Sequence, residues 1–395
     1  MKIFNVIAVL FILNACNSNK FSIAYFGQTP PKKGSQIFAP NLISVHGRFE
    51  QGLSFSPNGS ELAFGVLGFD TAANCIYYTK ENNGKWSKPE KASFIDKDSV
   101  FLPFFSPDGK SLFFTKSQSL PEYWMTDIWK VNKESNDWSE QIKLPAEINL
   151  NSREGSVGIT KDGTIYFTSS RFDTVHHCCA DVFCSKKVNE KYGNIVKMDF
   201  FETFGDNEGL YISPDENYLI IQSARNENGF QHDLYISYLL FDKSWSKPER
   251  LDSTINTTDF EQRPFVTFDN KYLFFSRMTF ISGNPCESDI YWSSTKKMFK
   301  PYPFHPISDT IIITGNIFNF QLPVNEFKDV DGKKLKYEAQ LAKGENLPEW
   351  LKFNAKDRTF IGKPTNTEEL MIKIKAIDEN LNIAYDEFKL VIKNK

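Results

Sequence analysis

The stretch Phe104-Phe105-Ser106-Pro107-Asp108-Gly109-Lys110-Ser111-Leu112-Phe113-Phe114-Thr115-Lys116 is two short apolar strands clasped around a Ser-Pro-Asp-Gly turn. Pro107 presets φ for the second position of a type I turn, Asp108 can bond its own backbone, and Gly109 tolerates positive φ. The segment therefore reads as a β-hairpin. It recurs as Phe55-Ser56-Pro57-Asn58-Gly59, Ile159-Thr160-Lys161-Asp162-Gly163, Ile212-Ser213-Pro214-Asp215-Glu216 and Val266-Thr267-Phe268-Asp269-Asn270. The turns start at residues 56, 106, 160, 213 and 267, at steps of 50, 54, 53 and 54. Strands at such a period, with no helical pattern between them, mean one supersecondary unit per repeat in a radial or solenoidal array.

Working outward, each repeat divides into three strands and a trailing fourth. In the second repeat these are residues 102–105, 111–115, 127–131 and a weaker 138–144. Trp86-Ser87-Lys88-Pro89 and Trp245-Ser246-Lys247-Pro248 open fourth strands elsewhere, where a Pro suits an outer edge. The fifth repeat lacks a fourth strand, because after Trp292 the chain enters a Lys- and Pro-rich run, 296–306. An unpartnered strand candidate at 37–44 supplies the missing piece and is expected to close the ring as the outer strand of the fifth unit. The fold class expected is all-β: a five-bladed β-propeller over residues 37–300, then an antiparallel β-sandwich over 315–395, joined by a linker at 301–314.

The Ser-Pro-Asp-Gly-Lys-x-Leu-x-Phe units, followed by Asp-Ile-Trp or Asp-Leu-Tyr, resemble the TolB-type, WD-like propeller repeats of bacterial envelope proteins. The resemblance covers roughly residues 37–300 and implies an interaction platform more than a reaction. The turns at Asn58, Glu216 and 268–270 depart from the pattern. The tail carries Asp329 to Gly332, Leu347-Pro348-Glu349-Trp350-Leu351, Gly362-Lys363-Pro364 and Ala376-Ile377-Asp378. These resemble the cadherin-like, dystroglycan-type immunoglobulin-fold domain, which implies a spacer or adhesive module.

At the N-terminus, Met1-Lys2 precedes an apolar run at 3–13 and then Leu13-Asn14-Ala15-Cys16, the pattern of a secretory signal too short to span a membrane. The last four residues resemble the lipobox of bacterial lipoproteins. The resemblance implies cleavage after residue 15, lipid on Cys16 and a protein held at the outer membrane on its periplasmic or outer face, while the polar run at 17–36 reads as a tether. The chain of 395 residues has 46 basic and 49 acidic residues, a net charge of -3 that gives no reason to expect nucleic acid.

Three constellations are candidates for chemistry. Acidic residues before the first strands, Glu50, Glu154, Glu208 and Glu261, face basic residues ending the second strands, Lys116, Arg171, Arg225 and Arg277, while Asp127, Asp181, Asp233 and Asp289 open the third strands. In a propeller these share one rim, either as a charged funnel for a ligand or as a repeated network whose members satisfy one another. His176, His177, Cys178, Cys179 and Cys184 form a loop that would suit zinc or copper, or hold disulfides, or stay inert. Cys75 and Cys286 share that rim, and a bridge between them would join blades one and five. In the tail, Asp329, Asp331 and Asp378 could give oxygens to calcium, as the cadherin-like resemblance implies, or cap turns. No cofactor is certain.

There is no Gly-x-Ser-x-Gly elbow, His-Glu-x-x-His or phosphate loop. The leading expectation is an envelope lipoprotein that binds a protein or glycan partner through Glu50, Glu154, Arg171, Glu208, Arg225, Glu261 and Arg277. The alternative is a glycan-active hydrolase or lyase using rim carboxylates.

Overall fold

The computed structural model describes residues 25–68, 73–117, 125–135, 137–172, 179–189, 191–198, 206–224 and 231–395. Among them there is no α-helix, only a 3₁₀ turn at Thr295–Lys297, so no helix is long and apolar enough to cross a membrane. The architecture is a β-propeller followed by an Ig-like β domain.

Five sheets of the same plan make the propeller part among the described residues. Their innermost strands are Glu50–Phe55, Val100–Phe105, Glu154–Ile159, Gly209–Ile212 and Phe260–Val266. Each innermost strand touches the next, and the fifth returns to the first. Outer strands are two residues long: Glu90–Lys91, Ile142–Lys143, Val196–Lys197, Glu249–Arg250 and, for the fifth sheet, Gln36–Ile37. Gln36 pairs antiparallel with Trp292 and Ile37 with Tyr291, so the N-terminal segment is the outer edge of the last sheet. It is shorter than the expected 37–44, because after Phe38 the chain folds into a turn at Ala39 that buries Phe38 and Ile43 against the sheet.

The repeated turns explain the period. Gly59, Gly109 and Gly163 donate to the Ser or Thr carbonyl three residues earlier, at 2.8, 2.8 and 3.0 Å, with positive φ. Glu216 and Asn270 make the same bond at 2.9 and 2.8 Å with φ of 58° and 57°, so the departures from the motif keep its geometry. Ser106 and Asp108 tie the turn further, Oγ donating to Oδ1 at 2.6 Å. Between the sheets lie aromatic rings: Phe55, Phe64, Phe105, Phe114, Phe167, Phe183, Phe265, Phe274 and Trp292 are almost wholly buried. Their burial is the main stabilising term of the ring.

The tail is two packed sheets. Thr310–Ile313, Ile383–Lys393, Glu368–Ile377 and Lys336–Leu341 form one, and Phe318–Gln321, Thr359–Gly362 and Leu351–Asn354 the other. The expectation of a purely antiparallel sandwich is corrected by one pair: Thr310–Ile313 runs parallel to the end of Ile383–Lys393. That strand belongs to the sandwich although the sequence placed it in the linker, and Tyr302–Pro303 already pairs with Phe327–Lys328. The tail motifs have a packing reason. A Cβ on Gly362 would collide with the Trp350 carbonyl and come within 2.8 Å of its ring, and Trp350 Nε1 donates to Glu368 at 2.8 Å. The two parts meet where Tyr238 stacks on Tyr302 at 4.2 Å and Asn382 Nδ2 donates to the Phe299 carbonyl at 3.0 Å.

Candidate functional site

The expected rim residues separate into two groups. Glu50, Glu154 and Glu261 have no exposed surface. Glu261 accepts from Arg277 Nε at 2.7 Å and from Thr257, while Arg277 also donates to the Ile255 carbonyl and lies over the Tyr291 ring. Glu154 takes Ser152, Ser169 and Arg171, and Arg171 donates to the Ile148 carbonyl and covers Phe167 and Phe183. Glu50 takes Arg48, which donates to the Ile43 carbonyl. One unit, carboxylate to guanidinium to carbonyl with an aromatic ring beneath, is thus repeated inside three blades. In the second blade Lys116 pairs with Asp98 at 2.8 Å over the Trp129 ring. Burial pushes Glu50 and Glu154 up to about 7 despite their Arg partners. Arg225 lies outside the described residues.

Three of the four third-strand aspartates reach along their sheets to the outer strand. Asp127, Asp181 and Asp233 bind the basic residue of their own outer strand, Lys143, Lys197 and Arg250, at 2.8, 2.7 and 2.7 Å.

Glu208 is different. Glu50, Glu154 and Glu261 stand six positions before their turn, whereas Glu208 stands five before Ser213. The strands of those three glutamates carry a one-residue bulge between the glutamate and the turn, whereas Gly209–Ile212 carries none and Glu208 stands just ahead of it. Its side chain turns to the axis of the ring, where Arg153 Nη1 reaches Oε1 at 2.5 Å and Arg263 Nη2 reaches Oε2 at 3.1 Å. Arg263 Nη1 also donates to the Glu208 carbonyl. Asp206 accepts from the Ala180 amide at 2.9 Å and lies 3.6 Å from Arg153 Nη2. Burial and the neighbouring Glu208 charge push Asp206 up, while the two guanidiniums outweigh burial and hold Glu208 low. Burial lowers the pKa of His232, whose Nδ1 lies 2.8 Å from Gln222 Nε2.

Arg263 was not legible as a site residue. The position four before each turn holds Gly52, Leu102, Ser156, Gly209 and Arg263. In the first, second and fifth sheets the innermost strand bulges there, with φ of 68°, 53° and 54°. A bulge re-aims its side chain, here toward the channel axis. Positive φ is a strained conformation for Leu102 and Arg263. A Cβ on Gly52 would touch Arg263 Cβ and Leu102 Cδ2 at 3.5 Å, which locates all three positions at the centre. A charged residue where the other blades carry Gly, Leu, Ser and Gly was the available signal.

Above this layer opens a cavity of about 250 Å³ to which every sheet contributes, through Asn74, Phe101, Leu102, Ser117, Thr126, Arg153, Gly155, Thr168, Ala180, Glu208 and Arg263. Arg263 also borders a smaller void of about 30 Å³ deeper along the channel.

Other expected sites are placed as follows. Cys16, His176, His177 and Cys178 lie outside the described residues. Cys179 is exposed, and Cys184 sits on the strand Asp181–Ser185 with its thiol pushed up to about 11 by burial. The Cys75–Cys286 bridge is not formed: both carry free thiols, and Cys286 Sγ lies 3.1 Å from Thr279 Oγ1. Asp378 Oδ1 accepts from the Asn380 and Asn382 amides at 2.8 Å, Asp329 Oδ1 accepts from the Asp331 amide at 3.1 Å, and Asp331 pairs with Lys333 at 2.5 Å. Among the described residues no group of three or more His, Cys, Asp and Glu is placed to hold a metal ion.

Against known proteins, residues 301–393 match the family described as "Putative Ig domain". No curated protein matches the chain. Among solved structures it is similar to a "putative TolB from Agrobacterium tumefaciens" at 12% identity, with a TM-score of 0.39 over 87% of this chain and 82% of that one. A GH43 endo-arabinanase from Bacillus licheniformis is matched at 12% identity and a TM-score of 0.39, over 65% of this chain and 94% of that one. A puromycin-hydrolyzing peptidase from Mycobacterium tuberculosis is matched at 12% identity and a TM-score of 0.35, over 68% of this chain but 38% of that one. Likeness this distant says nothing of activity.

Proposed function

We propose that this chain is a binding platform of the bacterial envelope, exported and held by lipid on Cys16, whose central cavity receives one group of a protein or glycan partner. The Ig-like tail serves as spacer or adhesive module. One observation carries the reading: Arg153, Glu208 and Arg263 form a charged cluster that is not repeated from blade to blade and opens into the cavity at the ring axis. The Glu–Arg units that do repeat are buried and satisfied, which suits a structural network. A cavity of about 250 Å³ is below the size that takes a whole drug-sized ligand, and fits a single group projecting from a larger partner.

The hydrolase alternative asks for two carboxyl groups roughly 5 to 9.5 Å apart, with sugar or water between them. Asp206 and Glu208 both engage the Arg153 guanidinium, at 3.6 and 2.5 Å, so neither stands free beside a sugar or water. The test is mild cross-linking in the native membrane, comparing the wild type with Ser117→Trp, which places an indole in the cavity and leaves Arg153, Glu208 and Arg263 themselves unsubstituted. A discrete partner lost in the variant supports the platform. Turnover of an envelope polysaccharide that survives the variant would overturn it.

A further inference from the structure

The buried unit that the propeller repeats is opened in one blade. In the first, third and fifth blades a glutamate without exposed surface pairs with an arginine that also donates to a backbone carbonyl. In the second blade Val100 stands where those glutamates stand, and the pair is Asp98 with Lys116, with side chains 31% and 20% exposed. The loop leading into this blade departs as well. Ahead of the third and fifth blades, Asn149 and Asn256 follow Ile148 and Ile255, and each donates to two backbone carbonyls that seal its loop. Ahead of the second, the residue after Ile95 is Asp96, which is exposed and whose side chain has no N–H to donate. The run from Ala92 to Ile95 is also one residue shorter than that from Leu144 to Ile148 or from Leu251 to Ile255.

Where the unit opens lies a pocket of about 510 Å³ that shares no lining residue with the axial cavity. Phe94, Trp129 and Trp138 give it an aromatic wall, and Asp98 and Gln141 a polar pair. Gln141 Nε2 donates to Asp98 Oδ2 at 2.9 Å, the same oxygen that takes Lys116, so Asp98 Oδ1 has no partner among the described residues. A carboxylate and an amide held side by side against aromatic rings match a sugar, whose C–H face packs on a ring and whose adjacent hydroxyls both donate and accept. A cationic ligand would compete with this chain's own Lys116, whose ammonium already lies between Asp98 and the Trp129 ring, 4.6 Å from its centroid. An anionic one would meet Asp96, Asp98, Asp137 and Glu140 against that single ammonium. We propose that this pocket is a second binding site, for a neutral sugar unit of a glycan, with the ring packed on Trp138 and Phe94 and its hydroxyls at Asp98 and Gln141.

The experiment is isothermal titration of the detergent-solubilised full chain with cellohexaose, maltohexaose, mannohexaose, laminarihexaose and chitohexaose, with a galacturonate hexamer and hexalysine as charged comparisons. At least one neutral chain should bind, and the galacturonate hexamer at least about tenfold more weakly. Trp138→Phe, which keeps an aromatic filler but narrows the ring, and Asp98→Asn, which keeps the volume but loses the charged acceptor, should each weaken binding by about tenfold. Glu140→Trp substitutes an exposed residue of the pocket wall, removes no packed side chain, and should abolish binding with the thermal transition intact. That variant separates loss of the site from loss of the fold. Binding of hexalysine or the galacturonate hexamer in place of every neutral chain overturns the ligand class, and binding of none of them overturns the site. Binding that survives Glu140→Trp and is lost in Ser117→Trp overturns the assignment and places the glycan in the axial cavity.

Discussion

Arg263 and Glu208 belong to different blades, yet the guanidinium of one donates to both the carboxylate and the backbone carbonyl of the other at the axis of the ring. The pair joins the fourth and fifth sheets at the point where the channel opens, with side chains 12% and 20% exposed. Such a pair contributes less net stability than its geometry suggests, but removing one partner strands the other. Arg263→Met should therefore cost about 3 kcal/mol in denaturant unfolding, and adding Glu208→Gln should recover part of that loss. Additive effects of the two changes would show that the pair is not coupled.

The repeated pairs behave differently. Arg277→Met leaves Glu261 fully buried without its guanidinium, and should lower stability by about 3 kcal/mol while leaving partner retention unchanged. Loss of partner binding at a temperature where this variant remains folded would place the ligand at the blade interior instead.

This division shows which features could be read from sequence. The turns at 56, 106, 160, 213 and 267 were legible because Ser, Pro, Asp and Gly determine a turn locally. The closing strand was legible from the missing fourth strand, but its length was not, since Ala39 at φ of 42° ends it through packing. Glu208 stood out by one residue of spacing, which corresponds to the bulge that the fourth sheet lacks and the first, third and fifth carry. Arg263 was hidden because only the bulge, a feature of pairing with the next strand, turns that position inward. The Cys75–Cys286 idea failed for a related reason: sharing a rim does not bring two thiols to bonding distance.

Glu326 provides a pH test. It has no exposed surface, neither carboxylate oxygen has a hydrogen-bond partner among the described residues, and burial together with Asp386 pushes it up to about 8. The folded state then holds a proton that the unfolded chain releases above the ordinary carboxylate range. Stability should fall as pH rises from roughly 4.5 to 8, by up to about 1.4 kcal/mol per pH unit from this group. Glu326→Gln should flatten that slope in thermal unfolding of the full chain. An unchanged slope would mean that Glu326 is hydrated in solution.

Leu381 offers a backbone test. It is 79% exposed and adopts φ of 67° in the turn that follows Asp378. Leu381→Gly removes the Cβ strain and a solvent-exposed apolar side chain, and should raise stability by about 1 kcal/mol. A decrease would indicate that Leu381 is covered in the native assembly.

The central claim is that a partner engages the propeller at its axis. It is tested most directly by cross-linking the full chain to its partner in the native membrane and mapping the joined peptides by mass spectrometry. Cross-links should cluster on the segments around Asn74, Ser117, Arg153 and Ala180 that surround the cavity, and should vanish in Ser117→Trp. Cross-links concentrated in residues 301–393 and unaffected by that substitution would contradict it, and would assign binding to the Ig-like domain.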